Sequence, residues 1–242
     1  MKASFFVTCI ADNFFPEVGE CVIKLLNGQG IKLDFPPEQT CCGQPAFNSG
    51  YWDEARDVAK GMIEAFAASD YVISPSGSCV AMFKIDYPLL FQGDAQWEVK
   101  VKQLGEKTFE VTQFLVNVLH LENLGARYPA KVTYHPSCHA TRLLGIKDEP
   151  LKLLRQVQDL ELVELPNASD CCGFGGTFAV KMAAVSEEMV EEKVQNILRS
   201  GADVVTGVDL GCLMNIGGRL QHQGHAVRAV HITQLLAEGM SQ

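Results

Sequence analysis

The sequence predicts an α/β protein made of two pseudo-symmetric Rossmann-like halves, each with a parallel sheet and one Cys-Cys-Gly motif. Three observations predict it. First, the cysteines repeat. With Cys21 set aside, Cys9, Cys41, Cys42 and Cys79 correspond in order to Cys138, Cys171, Cys172 and Cys212, at intervals of 32 and 37 residues in one group and 33 and 40 in the other. Second, short Val/Ile-rich runs alternate with stretches of helical periodicity, the pattern of a parallel sheet covered on both faces. Third, the flanking sequences pair: "YVISPSGSC" before Cys79 with "DVVTGVDLGC" before Cys212, and "FEVTQFLVNVL" with "VHITQLLAEGM" at the two closing segments. A repeat of this kind decides the architecture before any local reading does.

The elements follow in chain order. "ASFFVTC" (3–9) reads as a first strand ending at a cysteine, and "EVGECVIKLL" (17–26) as an amphipathic helix with Cys21 on its apolar face. After a second strand comes the loop with Cys41, Cys42 and Gly43, then a helix over 53–68, a strand into Cys79 and a closing helix over 109–119. The boundary falls near Gly125–Pro129, giving repeats of 1–126 and 127–242. The second half opens with the strand "AKVTYHPSC" and reaches "CCGFGGTF", which is expected to run directly into a helix from about Thr177. A helix over 181–201 stops at Gly201, where the left-handed cap of a helix favours glycine. A strand into Cys212 and a closing helix over 230–240 complete the half. Loops beyond the carboxyl ends of parallel strands are where such sheets build sites. Cys9, Cys79, Cys138 and Cys212 sit there, which predicts one pocket per half, with both Cys-Cys-Gly loops facing the shared interface.

Composition narrows the function classes. With 47% hydrophobic and 20% charged residues the chain has a sizeable core. Its net charge of −9 argues against nucleic acid, which rewards a basic face. No apolar run reaches the ~18 residues of a membrane span. The N-terminal apolar run is broken by Asp12 and reads as a strand rather than a signal peptide, so a cytoplasmic protein is expected. Nine cysteines in a reducing compartment point to metal or catalysis rather than disulfides.

Four thiolates converging on a point make either a tetrahedral zinc site or a Cys₄ iron–sulfur site. Spacing alone leaves both open. Adjacent side chains tend to point apart, so a Cys-Cys pair suits an object several ångströms across better than one small ion. The glycines that follow let backbone N–H groups approach an anionic centre. His135 and His139 bracket Cys138, where the first half has Phe6 and Ile10, and either can ligate metal or shuttle a proton. The glycines of "GFGG" do not form a nucleotide-binding fingerprint. The run "SEEMVEEKV" (186–194) reads as a solvated helix face. Cys21 reads as a core residue.

The doubled pattern, with "YHPSCH", "CCGFGGTF" and "GCLMNIGG", resembles the CCG (cysteine-rich) domain family of iron–sulfur oxidoreductase subunits over essentially the whole chain. The resemblance implies cluster binding, with Cys9, Cys41, Cys42, Cys79, Cys138, Cys171, Cys172 and Cys212 as ligands. It also implies an electron-transfer role as the iron–sulfur component of an L-lactate oxidation system, lactate to pyruvate, beside other iron–sulfur subunits. The family pattern ends each repeat in C-x-x-C, whereas here the earlier position is Ser76 or Asp209. Relatives that cleave a disulfide use five cysteines per repeat, and four suffice for a cubane 4Fe–4S cluster. Ser76 and Asp209 are expected to be solvated or to cap helices. The alternatives are a zinc-holding scaffold, a redox subunit for another 2-hydroxy acid such as glycolate, and a thiol–disulfide oxidoreductase, the last weakened by the absence of C-x-x-C.

Overall fold

The computed structural model describes residues 2–240. The first half runs β1 (Ala3–Phe5), α1 (Cys9–Phe14), α2 (Pro16–Gly28), β2 (Leu33–Asp34), α3 (Gln44–Asn48), α4 (Trp52–Ala65) and β3 (Tyr71–Ser74). A helix follows in three parts: α5 (Gly77–Ala81), a π-helical segment Met82–Asp86 and α6 (Tyr87–Leu90). Then come α7 (Ala95–Lys107), β4 (Thr108–Glu110) and α8 (Val111–Gln113), which passes into a π-helical turn, Phe114–Val118. The second half has β5 (Arg127–Tyr134), a π-helical turn His139–Leu143, α9 (Glu149–Arg155), β6 (Gln158–Val163), α10 (Phe178–Lys181), α11 (Ala183–Ser200), β7 (Val204–Gly207), α12 (Leu210–His222), β8 (Arg228–His231) and α13 (Ile232–Gly239).

Each half is a four-stranded parallel sheet, in order β2-β1-β3-β4 and β6-β5-β7-β8. The two orders are the same once the halves are matched, so the duplication read from the cysteines is a duplication of topology. The pseudo-twofold extends to the packing between halves. Helix α2 lies on α13, and the α8 segment of the first half lies on α9 of the second, which is the same contact with the halves exchanged. Likewise α5 packs on the π-helical turn after Cys138, and α12 on α1. The largest core is shared: Phe5, Val22, Leu25 and Phe114 of one half pack in one cluster with Val132, Leu153, Val230 and Leu235 of the other. Burying an aliphatic or aromatic side chain contributes roughly 1.5–3 kcal/mol, so this shared core holds the two halves together.

Three expectations change. The closing segments do not begin as helices: the short edge strands β4 and β8 run into the starts of 109–119 and 230–240, and helix starts only after Glu110 and His231. The helix from Thr177 is not continuous with that over 181–201. It breaks at Met182 (φ −123°, ψ 47°), separating α10 from α11. Gly201 ends α11 in the left-handed conformation (φ 68°), as expected. Third, the run 186–194 is only partly solvated. Glu187 and Glu191 pair with Arg219 of α12, and Lys193 is fully buried.

Candidate metal centre

Parallel strands end where their backbone passes into a helix, and here four such ends face one another. Cys9 opens α1 after β1, Cys79 lies in α5 after β3, Cys138 precedes its π-helical turn after β5, and Cys212 lies in α12 after β7. The Cys41–Cys42 and Cys171–Cys172 pairs come in from the side on loops. All eight line a single cavity of about 360 Å³ between the halves. The expected pocket per half is thus one continuous space with a quartet on either side, and the two Cys-Cys-Gly loops face each other across it. Cys21 is elsewhere, half-buried on α2 against the shared core.

Local conformation explains the glycines. Gly43 and Gly173 take matching left-handed geometries (φ 84° and 80°), turning the chain immediately after each pair. The fit at Gly173 is the tighter one, since a Cβ there would lie 2.7 Å from the Ser186 carbonyl oxygen. The Gly173 N–H points at the Cys171 sulfur (3.4 Å), and the Gly173 carbonyl accepts from Ser186 Oγ (2.8 Å), which fastens the loop to α11. Thr8, next to Cys9, holds a positive φ of 72° without being glycine, a conformation that costs of order 1–3 kcal/mol and concentrates at functional sites.

Ser76 and Asp209 prove to be helix caps. Ser76 Oγ accepts from Cys79 N (3.3 Å) at the start of α5, and Asp209 Oδ1 accepts from Gly211 N (3.1 Å) at the start of α12. Both are buried rather than solvated, and both line the cavity. The other Asp209 oxygen accepts from Ser78 N of the first half (2.8 Å), tying the seam beside the site.

The thiols of each quartet are in mutual contact. Cys42 Sγ lies 3.5 Å from Cys79 Sγ. Thiol hydrogen bonds from Cys42 and Cys9 hold Cys41 as a thiolate with its pKa drawn down to about 3. Cys171 is drawn to about 2 by the thiols of Cys138 and Cys172. The donors shift the opposite way: Cys9 and Cys42 are raised chiefly by their bonds to Cys41, and Cys138 and Cys172 by theirs to Cys171. A pre-ionised sulfur ringed by thiols is the donor set that soft metal ions and iron–sulfur centres take.

The two histidines differ. His139 lines the cavity with Nδ1 3.5 Å from Cys138 Sγ. His135 sits behind the cysteines, buried, with neither ring nitrogen hydrogen-bonded. A ring nitrogen of His135 and the sulfurs of Cys172 and Cys212 lie within 4.8 Å of one another, close enough to share a metal ion. Burial keeps this imidazole neutral, with its pKa lowered to about 3. An unpartnered buried polar group costs about 1–3 kcal/mol, and a metal centre at the sulfurs would satisfy it. Sequence reasoning missed Lys193. Its Nζ donates to the carbonyls of Asn167 (2.9 Å) and Ala168 (3.2 Å), in the loop leading to the cysteine pair. The signal was present, because Lys193 falls in the apolar stripe of Val190, Val194 and Ile197 rather than with the glutamates.

The two α/β halves, each with its cysteine quartet, match one family model: residues 3–84 and 132–217 each match the cysteine-rich domain, and the chain belongs to this CCG family. Its relatives are full-length matches. It is 56% identical over 236 residues to lactate utilization protein A of Geobacillus kaustophilus (strain HTA426), covering 98% of both chains. It is 54% identical over 243 residues to lactate utilization protein A of Exiguobacterium sp. (strain ATCC BAA-1283 / AT1b), covering 100% of this chain and 99% of that one. It is 51% identical over 242 residues to lactate utilization protein A 2 of Bacillus cereus (strain Q1), covering both chains completely. Among the described residues no helix is long and apolar enough to cross a membrane.

Proposed function

We propose that this protein is the iron–sulfur electron-transfer component of a cytoplasmic system that oxidises L-lactate to pyruvate, working beside other iron–sulfur subunits. The observation that carries the reading is the meeting of eight cysteines, as two quartets, on one cavity between two repeats. In this reading the repeats are 1–126 and 127–242, and all eight cysteines are ligands. The lactate assignment rests on the relatives named lactate utilization protein A.

The residues fit the group. Each quartet supplies four soft sulfur donors, one of them favoured as the thiolate by its thiol neighbours, and a bound 4Fe–4S cluster would supply one-electron redox chemistry there. Cys9, Cys41, Cys42 and Cys79 would hold the first, and Cys138, Cys171, Cys172 and Cys212 the second. The chain's own residues do the rest. Gly43 and Gly173 turn the loops so that N–H groups face sulfur, while Ser76 and Asp209 fix the helices that carry Cys79 and Cys212. Phe14 and Val180 line the same cavity with 66% and 83% of their surface exposed. Large exposed apolar side chains at a cavity suit a docking partner. The chain carries no flavin or nicotinamide fingerprint to take a hydride, so oxidation of lactate itself falls to a partner.

A second reading has its own observation. The buried group of His135, Cys172 and Cys212 suits a zinc ion, which would make the second half structural. Anaerobic reconstitution with iron and sulfide separates the two: iron–sulfur charge-transfer absorption with iron at both quartets supports the first reading, and tight zinc with no such absorption the second. Deleting the gene should impair growth on L-lactate and spare growth on pyruvate, and a Cys172→Ser copy should fail to restore it. Undiminished growth on lactate, in cells without another lactate dehydrogenase, would move the assignment to a different 2-hydroxy acid such as glycolate.

A further inference from the structure

The two quartets have unlike surroundings, and, if both hold clusters as proposed, the difference bears on which way electrons run. His135 stands three residues before Cys138, as Phe6 stands three before Cys9. Phe6 is ordinary core, stacked on Phe83 (centroids 5.0 Å apart, planes 8° apart). His135 is as buried, yet brings an unpartnered imidazole to the sulfurs of Cys172 and Cys212.

Lys193 makes a second difference by a separate route. The buried positions of α4 (Ala55, Ala59, Met62, Ile63) match those of α11 (Ser186, Val190, Lys193, Val194), which sets Lys193 opposite Met62. Met62 Sδ accepts from Thr40 N (3.0 Å), just before the first cysteine pair. Lys193 binds the corresponding loop of the second half through an ammonium whose field reaches Cys171, Cys172 and Cys212. The second half also has two anions of its own. Asp170 is exposed to water and acts first on Lys193, whose charge it offsets in part. Asp209 is buried beside the second quartet and opposes the two cationic and N–H contributions, but its charge is met by the N–H groups of Gly211 and Ser78, which donate one to each oxygen.

Adding an electron makes a thiolate-bound centre more negative. An N–H free to bond a ligand sulfur and a buried cation both stabilise that state, and hydrogen bonding and local charge are what tune such potentials. Phe6 and Met62 supply neither. We propose that His135 and Lys193 set the centre of the second half at a higher potential than that of the first, so that electrons enter at the Cys9 quartet and leave from the Cys138 quartet. In the transfer the first centre loses one electron and the second gains it. The donor to the first and the acceptor from the second are iron–sulfur partner subunits, each exchanging one electron. Lactate gives up two electrons and two protons in becoming pyruvate, so each lactate requires two such one-electron passes, and the protons stay with the subunit that oxidises it.

The test uses the full chain, reconstituted anaerobically with ferrous iron and sulfide and titrated potentiometrically by electron paramagnetic resonance. Two waves are expected, the upper one lost in Cys171→Ser. A tenfold preference of the electron for the second half corresponds to about 59 mV between them. His135→Phe and Lys193→Met install the residues of the first half, and each should lower the upper wave. Together they should bring it onto the lower one, while His135→Asn, which keeps an N–H, should retain part of the separation. Labelling with ¹⁵N-histidine gives a readout in the unmutated chain. Weak nitrogen coupling is expected in the upper-wave signal and should persist in His139→Gln. An upper wave that survives Cys171→Ser, potentials unmoved by the substitutions, or no nitrogen coupling would overturn the inference. Coupling as strong as direct metal–imidazole ligation would overturn the hydrogen-bond role. No iron–sulfur signal from either half would instead overturn the cluster reading beneath it.

Discussion

Glu110 offers the sharpest test of how the seam is packed, because it is a carboxyl buried there that does not line the cysteine cavity. It caps α8: Oε2 accepts from Thr112 N (2.8 Å), Gln113 N (3.2 Å) and the Thr112 hydroxyl, while Oε1 has no partner. Burial outweighs these bonds and raises its pKa from 4.5 to about 7. Between those values the folded protein holds a proton that the unfolded chain releases, so this group's contribution is complete below about pH 4.5 and is lost as pH rises through about 7. At 1.36 kcal/mol per pKa unit the loss is about 3 kcal/mol, or roughly 6–12 °C in Tm for a chain of this size. Glu110→Gln keeps an accepting oxygen and removes the titration. Urea unfolding of metal-free protein, followed by circular dichroism, should show the variant gaining stability on wild type as pH goes from 5 to 8. Taking this difference cancels His231, which burial lowers to about 4 and which destabilises in the opposite direction, as pH falls below 6.5. A difference between variant and wild type that is flat from pH 5 to 8 would refute the reasoning.

The remaining predictions concern the site and its supports. Cys171→Ser should remove reconstituted iron from the second quartet and leave the first intact, while Cys21→Ser should change neither, as read by iron and sulfide analysis. Gly43→Ala and Gly173→Ala should separate conformation from crowding. The left-handed backbone costs both about 1–2 kcal/mol, but only at Gly173 would a Cβ meet a carbonyl at 2.7 Å, so that variant should be clearly the less stable in denaturant titration. Ser76→Ala should cost about 1 kcal/mol through loss of the α5 cap without changing metal stoichiometry, whereas a Ser76 that ligates metal would lose metal on substitution.

How much was legible in the sequence depends on where each signal resides. The cysteine quartets, the paired Cys-Cys-Gly loops, α2, α4, α11 and the Gly201 stop are written in residue type and period, and they fold where expected. The edge strands β4 and β8 were hidden because they are short and end inside runs whose apolar spacing also suits a helix. Only pairing with β3 and β7 distinguishes them. The break at Met182 was hidden because no glycine or proline marks it, and it rests on the non-helical backbone of Met182 alone. The merging of two pockets into one cavity depends on how the halves dock. That docking is fixed by α2 on α13 and by a core drawn from both halves, which no single window of sequence contains.

Comparing the halves position by position divides their differences into two kinds. At the caps the residue changes and the task does not: Ser76 and Asp209 both cap a cysteine-bearing helix, and Glu110 and His231 both cap a closing one. At Phe6 and His135, and at Met62 and Lys193, burial is kept and chemistry is not. A scaffold alone would favour the apolar member of each pair, since a buried unpartnered imidazole and a buried ammonium both carry a desolvation cost that Phe and Met avoid. Departures from the locally stable choice are expected at working sites, and both of these fall beside the second set of sulfurs. At these two positions, therefore, the first half keeps apolar side chains and the second half carries the polarity. Two copies of one fold, with matched topology and matched thiolates, thus present unlike environments on either side of one cavity, which is the arrangement a one-way relay requires.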